Sequence, residues 1–201
     1  MSAPLWIFGY GSLVFRPAFP FLARHIAWLD GYERRFWQAS TDHRGTPAAP
    51  GRVVTLVRRR DARCGGVAYL VAAADRERVL SYLDVREIGG YERLDISLRL
   101  GAGVEERGGL LRRVDDGASD GDHGMTVSAL VYFAGPANPQ YVGPGESVDI
   151  IAIARTRIGP SGTNRDYVLQ LAQALRSLQI DDPHVAEIAA GVVDGDVAAD
   201  G

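Results

Sequence analysis

The stretch Leu5-Trp6-Ile7-Phe8-Gly9-Tyr10-Gly11-Ser12-Leu13-Val14 decides how this chain is read. Residues 5–8 are apolar and rich in β-forming side chains, the pattern of a short buried strand. Gly9 and Gly11 then bracket Tyr10, and glycine lets a backbone bend sharply or come close to a ligand. The chain turns apolar again at Leu13, Val14 and Phe15 and breaks at Pro17. Two readings fit. One is a tight turn between buried segments. The other is a loop whose backbone N–H groups converge to hold a carboxylate, a phosphate or a carbonyl oxygen that is gaining charge.

The rest of the chain narrows the choice. At 201 residues it makes one domain, large enough to bury a core without disulfides or metal. We read residues 1–191 as that domain and residues 192–201, with their Asp and Gly, as a disordered tail. The lone Cys64 excludes a disulfide framework and a cysteine metal cluster, and fits a reducing cytoplasm. The first residues lack the basic and apolar regions of a secretory signal, and no run reaches the roughly 18 apolar residues of a membrane span. A net charge of −3 gives no electrostatic reason to expect nucleic acid. All 22 Lys and Arg residues are arginine, so lysine Schiff bases and the lysine-containing phosphate loop are excluded.

Strands dominate the first two thirds. Residues 25–39 read as one long or two short strands bent near Gly31, with Arg34-Arg35 either on a solvated face or holding a substrate carboxylate. Residues 42–51 form a Pro- and Gly-rich loop. Residues 52–60 and 64–72 read as two strands joined by a polar turn, with Arg58-Arg59-Arg60 exposed. Asp75 is positioned to cap a helix running to about Asp84 that buries Val79, Leu80 and Leu83. A strand is expected from Tyr91, a surface excursion over residues 101–124, and a strand over residues 126–133 from its strict alternation. Residues 147–158 read as a helix. Thr163 with Asp166 resembles a capping box opening another, and Pro183 begins a last one. Strands first and helices last, without regular alternation, argue for an α+β fold.

Few residues are equipped for chemistry. The four histidines (25, 43, 123 and 184) have no metal-like spacing, and Ser12 lacks the glycine two positions later that a hydrolase elbow needs. Cys64 opens an apolar strand and reads as a small core residue. Glu87 stands out, because a negative charge at a helix C-terminus opposes the macrodipole. It is either an ion-pair partner of a nearby arginine or a carboxylate whose pKa burial raises into the range of a general base. An amide-lined loop with one basic carboxylate suits intramolecular acyl transfer, where the substrate brings its own nucleophile.

These pieces resemble the ChaC-type γ-glutamylcyclotransferases that cleave glutathione. The resemblance is carried by Trp6-Ile7-Phe8-Gly9-Tyr10-Gly11-Ser12-Leu13, Gly31-Tyr32-Glu33-Arg34-Arg35-Phe36 and His43-Arg44-Gly45-Thr46-Pro47 with Pro50-Gly51-Arg52. It continues through Gly65-Gly66-Val67-Ala68-Tyr69, Tyr82-Leu83, Arg86-Glu87 and Gly89-Gly90-Tyr91. Its last members are Asn138-Pro139, Tyr141, Gly143-Pro144 and the run from Gly159 to Tyr167. They fall in order from residue 6 to about residue 188, and only the Gly/Asp-rich stretch 115–124 has no counterpart. The resemblance implies a small mixed β-barrel with packed helices and cleavage of glutathione to 5-oxoproline and Cys-Gly. It implies a substrate loop of Gly9, Tyr10, Gly11, Ser12, Leu13 and Val14, with Glu87 as acid/base. Neither a cofactor nor a metal is expected. Turnover of glutathione should therefore be the same with and without EDTA; a rate lost to the chelator and restored by a divalent ion would contradict this.

Overall fold

A computed structural model describes residues 3–87, 89–114 and 125–194. The apolar opening forms β1 (Leu5–Gly9), which leads into a single 3₁₀ turn, Ser12–Val14. Strands β2 (Ala23–Ser40) and β3 (Gly51–Val71) make one long antiparallel hairpin. Helix α1 (Arg76–Arg86) follows, then β4 (Glu92–Arg107), β5 (Leu110–Val114) and β6 (Thr126–Phe133). The last third holds α2 (Ser147–Thr156), the two-residue strands β7 (Ile158–Gly159) and β8 (Gly162–Thr163), α3 (Asn164–Ser177) and α4 (Pro183–Asp194).

The architecture is α+β, as expected. The main sheet runs in the order β2-β3-β1-β6-β4-β5, and β4 also pairs with β2. Strands β1 and β6 lie parallel, and the other pairings of this sheet are antiparallel. Tyr167, Leu171, Ala172, Leu175 and Leu178, the stripe expected along α3 and the residue after it, are buried, and Val168 joins them. Its cap also forms: the Thr163 hydroxyl accepts from the Asp166 N–H at 2.9 Å.

Several expectations change. Residues 51–71 are one strand, not two with a turn between them. Asp30 and Tyr32 on β2 face Arg63 and Arg58 on β3, so residues 59–62 bow outward while the ladder continues. Polar side chains there are satisfied across the strands, with Arg59 bonded to Glu33 and Arg63 to Asp30, both at 2.9 Å. Half of the expected excursion over residues 101–124 is a hairpin, β4–β5, turned by Gly108 and Gly109 at φ +59° and +76°. Residues 115–124 lie outside the described chain. The alternation in β6 implies one buried face, yet Ala129, Leu130, Val131 and Tyr132 are all buried, because β6 is an interior strand whose Tyr132 reaches up to α1. Helix α2 stops at Thr156 because Ile158–Gly159 pairs with Gly162–Thr163. Helix α4 extends through Asp194 with Val192 fully buried, so folded chain continues past residue 191; residues 195–201 are not described.

Arg34 ties these layers together. Its side chain is fully buried, contrary to a solvated face, and it is not among the residues that line the cavity described below. Nε donates to the Tyr10 carbonyl at 2.7 Å, Nη2 to the Gly65 carbonyl of β3, and Nη1 to Asp182, just before α4, at 2.6 Å. Removing one member of a buried charge pair strands the other, at a cost of about 3–5 kcal/mol. We expect Arg34→Met to be destabilised by that order in denaturant titration; a change under about 1 kcal/mol would contradict the assigned role.

Candidate functional site

A cavity of about 310 Å³ opens between the loop after β1, the end of α1 and the 41–44 segment that links β2 to β3. That volume suits a small molecule. Tyr10, Gly11, Ser12 and Leu13 line it, and so does Glu87, which lies more than 70 residues further along the chain. Gly9 and Val14 stand one layer back. A Cβ on Gly9 would sit 2.7 Å from that of Leu13, so this glycine lets the chain fold over itself, and Val14 is fully buried in the core.

The loop is fastened from behind and left open in front. Arg34 holds the Tyr10 carbonyl, and the Tyr10 hydroxyl donates to the Tyr132 carbonyl at 3.0 Å. The Tyr69 hydroxyl donates to the Leu13 carbonyl at 2.7 Å. Within the 3₁₀ turn, the Val14 N–H bonds the Gly11 carbonyl at 3.0 Å, and the Arg16 N–H bonds the Ser12 carbonyl at 2.8 Å. The first N–H groups of a helix have no partner inside it. Gly11 offers no side-chain cap, and among the described residues the Ser12 and Leu13 N–H groups have no acceptor. Two backbone donors are thus available at the cavity wall.

Helix α1 delivers Glu87 to the opposite wall. It runs two residues further than expected, and Glu87 is its C-cap, with N–H bonded to the Leu83 carbonyl at 2.8 Å. Asp75 takes the N-cap position without capping; its carboxylate pairs with Arg78 at 2.7 Å. Downstream, Gly90 has φ +79°, a conformation side chains resist, and Asn138 bonds the Gly89 carbonyl at 2.8 Å. The Asn138 Oδ1 in turn accepts from Gln38 Nε2 at 3.0 Å and from the Gln140 N–H at 2.8 Å. The turn that follows Glu87 is therefore latched to β2.

The Glu87 side chain is 17 % exposed. Burial pushes its pKa above the ordinary value of 4.5; Arg86 and His43 pull it down, and Asp42 adds to the rise. Its contact with Arg86 Nε is long, 3.5 Å. The Arg86 guanidinium is otherwise engaged: Nη2 donates to Ser12 Oγ at 2.9 Å, and Nη1 to the Arg16 and Pro17 carbonyls at 2.8 and 3.1 Å. His43 joins the same cluster, with Nε2 3.2 Å from the Arg86 carbonyl and Nδ1 2.9 Å from Ser161 Oγ. Tyr10 feels this surrounding too: burial first, then the Glu87 charge, holds its phenol well above the usual pKa.

Sequence reasoning brought together the loop and Glu87 but left Arg86 as a rival ion-pair partner and gave Arg44 no role. Arg44 and His43 carried a signal only as parts of a motif. Among the described residues no group of three or more His, Cys, Asp and Glu could hold a metal ion. Cys64 is fully buried, and burial pushes its thiol up to about 11, as a core residue.

A desolvated carboxylate in one cavity with open backbone amides can move a proton beside an oxygen that is gaining charge. Comparison with known proteins shows the family. The family described as ChaC-like protein matches residues 5–194, and the chain belongs to that family. A zebrafish (Danio rerio) relative named glutathione-specific gamma-glutamylcyclotransferase 1 is 39 % identical, over 96 % of this chain and 90 % of its own length. The Saccharomyces cerevisiae glutathione-specific gamma-glutamylcyclotransferase is 33 % identical over 89 % of this chain and 88 % of its own. The crystal structure of a yeast cyclotransferase specific to glutathione superposes with a TM-score of 0.80 at 28 % identity, covering 96 % of both chains.

Gly11 gives the site a direct test. A Cβ there would sit 3.2 Å from both the Tyr167 hydroxyl and Val54 Cγ2, and the branches of valine would press further. We expect Gly11→Val to stay folded, destabilised by about 1–3 kcal/mol from overpacking, and to lose ligand turnover at this cavity. A folded variant of undiminished activity would remove the loop from the site.

Proposed function

We propose that this protein cleaves glutathione to 5-oxoproline and Cys-Gly as a γ-glutamylcyclotransferase, with Glu87 as the acid/base. The observation that carries the reading is the meeting, in one cavity, of a carboxylate with raised pKa and a loop offering two open N–H donors. The names and extent of the relatives support the substrate.

In this reading the γ-glutamyl α-ammonium, of ordinary pKa about 7.7–8.0, gives its proton to Glu87. The freed amine attacks the γ-carbonyl of the same residue, closing a five-membered ring. Orientation within a bound conformer contributes up to roughly 7–11 kcal/mol to such a step. The Ser12 and Leu13 N–H groups receive the oxyanion, each worth on the order of 3 kcal/mol. Glu87 gives its proton to the leaving nitrogen as the C–N bond to cysteine breaks, then takes the second proton from the ring nitrogen and passes it to the departing amine, which leaves as an ammonium. No redox change occurs and no water is consumed. Tyr10, Gly11, Ser12 and Leu13 contact the substrate, while Gly9 and Val14 shape the loop behind them.

Two finer points belong to the same reading. The strand pairings run β2-β3-β1-β6-β4 and return to β2, which supports the small mixed barrel that the resemblance implies. The buried thiol of Cys64, and the absence among the described residues of any helix long and apolar enough to cross a membrane, accord with a cytoplasmic protein.

Incubation of purified protein with glutathione should yield 5-oxoproline, and γ-glutamylalanine should be turned over hardly at all. Comparable kcat/KM on both would favour a broader cyclotransferase, and no turnover a binding protein. Glu87→Gln should lower turnover at least 100-fold, the lower bound for general acid–base catalysis. Its stability should move the other way. A carboxyl whose folded pKa is raised binds its proton more tightly in the native state, so the wild type loses stability as pH rises from the ordinary carboxylate range through the raised value. Glutamine has no such loss. The variant should thus match the wild type in melting temperature in acid and exceed it at neutral pH. A lower melting temperature at neutral pH, with turnover within a few-fold, would make Glu87 a structural partner of Arg86.

A further inference from the structure

The peptide group that joins Arg86 to Glu87 is held on both sides. Its N–H, that of Glu87, donates to the Leu83 carbonyl at 2.8 Å. Its carbonyl, that of Arg86, is the last in α1 and has no partner within the helix. His43 reaches this oxygen from the segment between β2 and β3, with Nε2 at 3.2 Å. Among the described residues no other donor bonds it. The two bonds together fix the peptide plane from which the Glu87 side chain departs.

The chemistry of its partners decides which nitrogen of the His43 ring carries the proton. A carbonyl oxygen only accepts, so Nε2 donates and bears the hydrogen. In a neutral imidazole Nδ1 is then bare and accepts. Its neighbour is the Ser161 hydroxyl, with Oγ at 2.9 Å, which therefore donates. Both ring nitrogens are thus committed to protein groups. His43 lines the cavity, yet it keeps no free nitrogen for a substrate proton. Its hold on Glu87 runs through the Arg86 carbonyl.

Ser161 is itself pinned, which makes it a firm partner for the ring. Its N–H donates to the His43 carbonyl at 3.0 Å, and its own carbonyl accepts from Arg44 Nη1 at 2.7 Å. Arg44 is buried, and Nη1 also reaches the Thr163 carbonyl at 3.3 Å. A Cβ on Gly159 would run into the His43 carbonyl, so glycine lets the β7–β8 turn lie against the His43 backbone. Residues 159–163 therefore stand behind the ring that holds the end of α1.

We propose that His43 is a positioning residue for the acid/base: its Nε2–H holds the Arg86 carbonyl, Ser161 holds the ring, and Glu87 is thereby presented to the cavity in one orientation. This rests on the cyclotransferase reading. It asks nothing of His43 as a proton carrier. A displacement of about 1 Å at a reacting group can cost about 100-fold in rate, so loss of this bond falls on kcat while substrate binding stays.

The test follows glutathione turnover in two substitutions that each copy one ring nitrogen. The amide nitrogen of asparagine reaches about as far as Nδ1, and that of glutamine about as far as Nε2. His43→Asn keeps a partner for Ser161 but falls short of Arg86, so kcat should drop roughly 10- to 100-fold with KM within about twofold of wild type. His43→Gln puts a donor back at the Nε2 position and should recover kcat to within about fivefold of wild type. Ser161→Ala leaves the Nε2 bond in place and should cost less than His43→Asn, again in kcat. Equal losses in the two His43 variants, no loss in His43→Asn, or a loss confined to KM overturns the positioning role. A larger loss in Ser161→Ala than in His43→Asn would make Ser161 the working group and overturn it too. One reading needs no substitution and stands even if neither His43 variant folds. ¹⁵N-correlated NMR of the wild-type histidine rings in mildly alkaline solution should show His43 protonated at Nε2 and bare at Nδ1; the opposite tautomer overturns the proposal. No 5-oxoproline from wild type overturns the cyclotransferase reading and this role with it, whereas turnover indifferent to His43→Asn overturns the role alone.

Discussion

The Arg86 guanidinium holds the end of α1 against the loop that follows β1, and the site depends on this contact. Its hydrogen bonds go to the Ser12 and Tyr82 hydroxyls and to the Arg16 and Pro17 carbonyls, all neutral acceptors. Because these take its donors, the Glu87 carboxylate beside it is left with a contact of 3.5 Å rather than a tight ion pair. A short, bidentate pair would have held Glu87 ionised and lowered its pKa. Here burial wins, and the pKa rises. One arginine therefore aligns the two halves of the site without quenching the carboxylate next to it.

Support for that arrangement comes from deeper in the fold. Arg34 holds the loop from the side of β2 and carries the connection on to β3 and to Asp182 ahead of α4. Asn138 does the corresponding work behind Glu87 by holding the Gly89 carbonyl. The loop and the carboxylate are thus each fixed by a buried polar side chain reaching across the sheet. The Ser12 and Leu13 N–H groups have no acceptor among the described residues and belong to residues that line the cavity, where the proposed reaction would use them as preorganised donors.

How much of this could be read from the chain follows from the range of each interaction. The strand before Gly9, the Thr163 cap and the α3 stripe depend on neighbours a few residues apart, and local pattern revealed them. Glu87 was legible for the same reason, as a charge placed wrongly for the macrodipole. The unbroken β3 was not, because its exposed arginines are satisfied by Glu33 and Asp30 on another strand. The β4–β5 hairpin was hidden by composition, although Gly108-Gly109 is a recognised turn pair. Arg34 acts on partners 24 to 148 residues away and Arg86 on a loop 69 to 74 residues away, and no local signal separates such an arginine from a solvated one.

The central claim is that the substrate's own amine, not water, attacks the γ-carbonyl. Glutathione turned over in ¹⁸O-labelled water, with the products followed by mass spectrometry, tests it most directly. Intramolecular attack predicts 5-oxoproline that carries no ¹⁸O from the solvent, formed in equal amount with Cys-Gly. Free glutamate carrying one ¹⁸O in its γ-carboxylate would mean hydrolysis and would contradict the account.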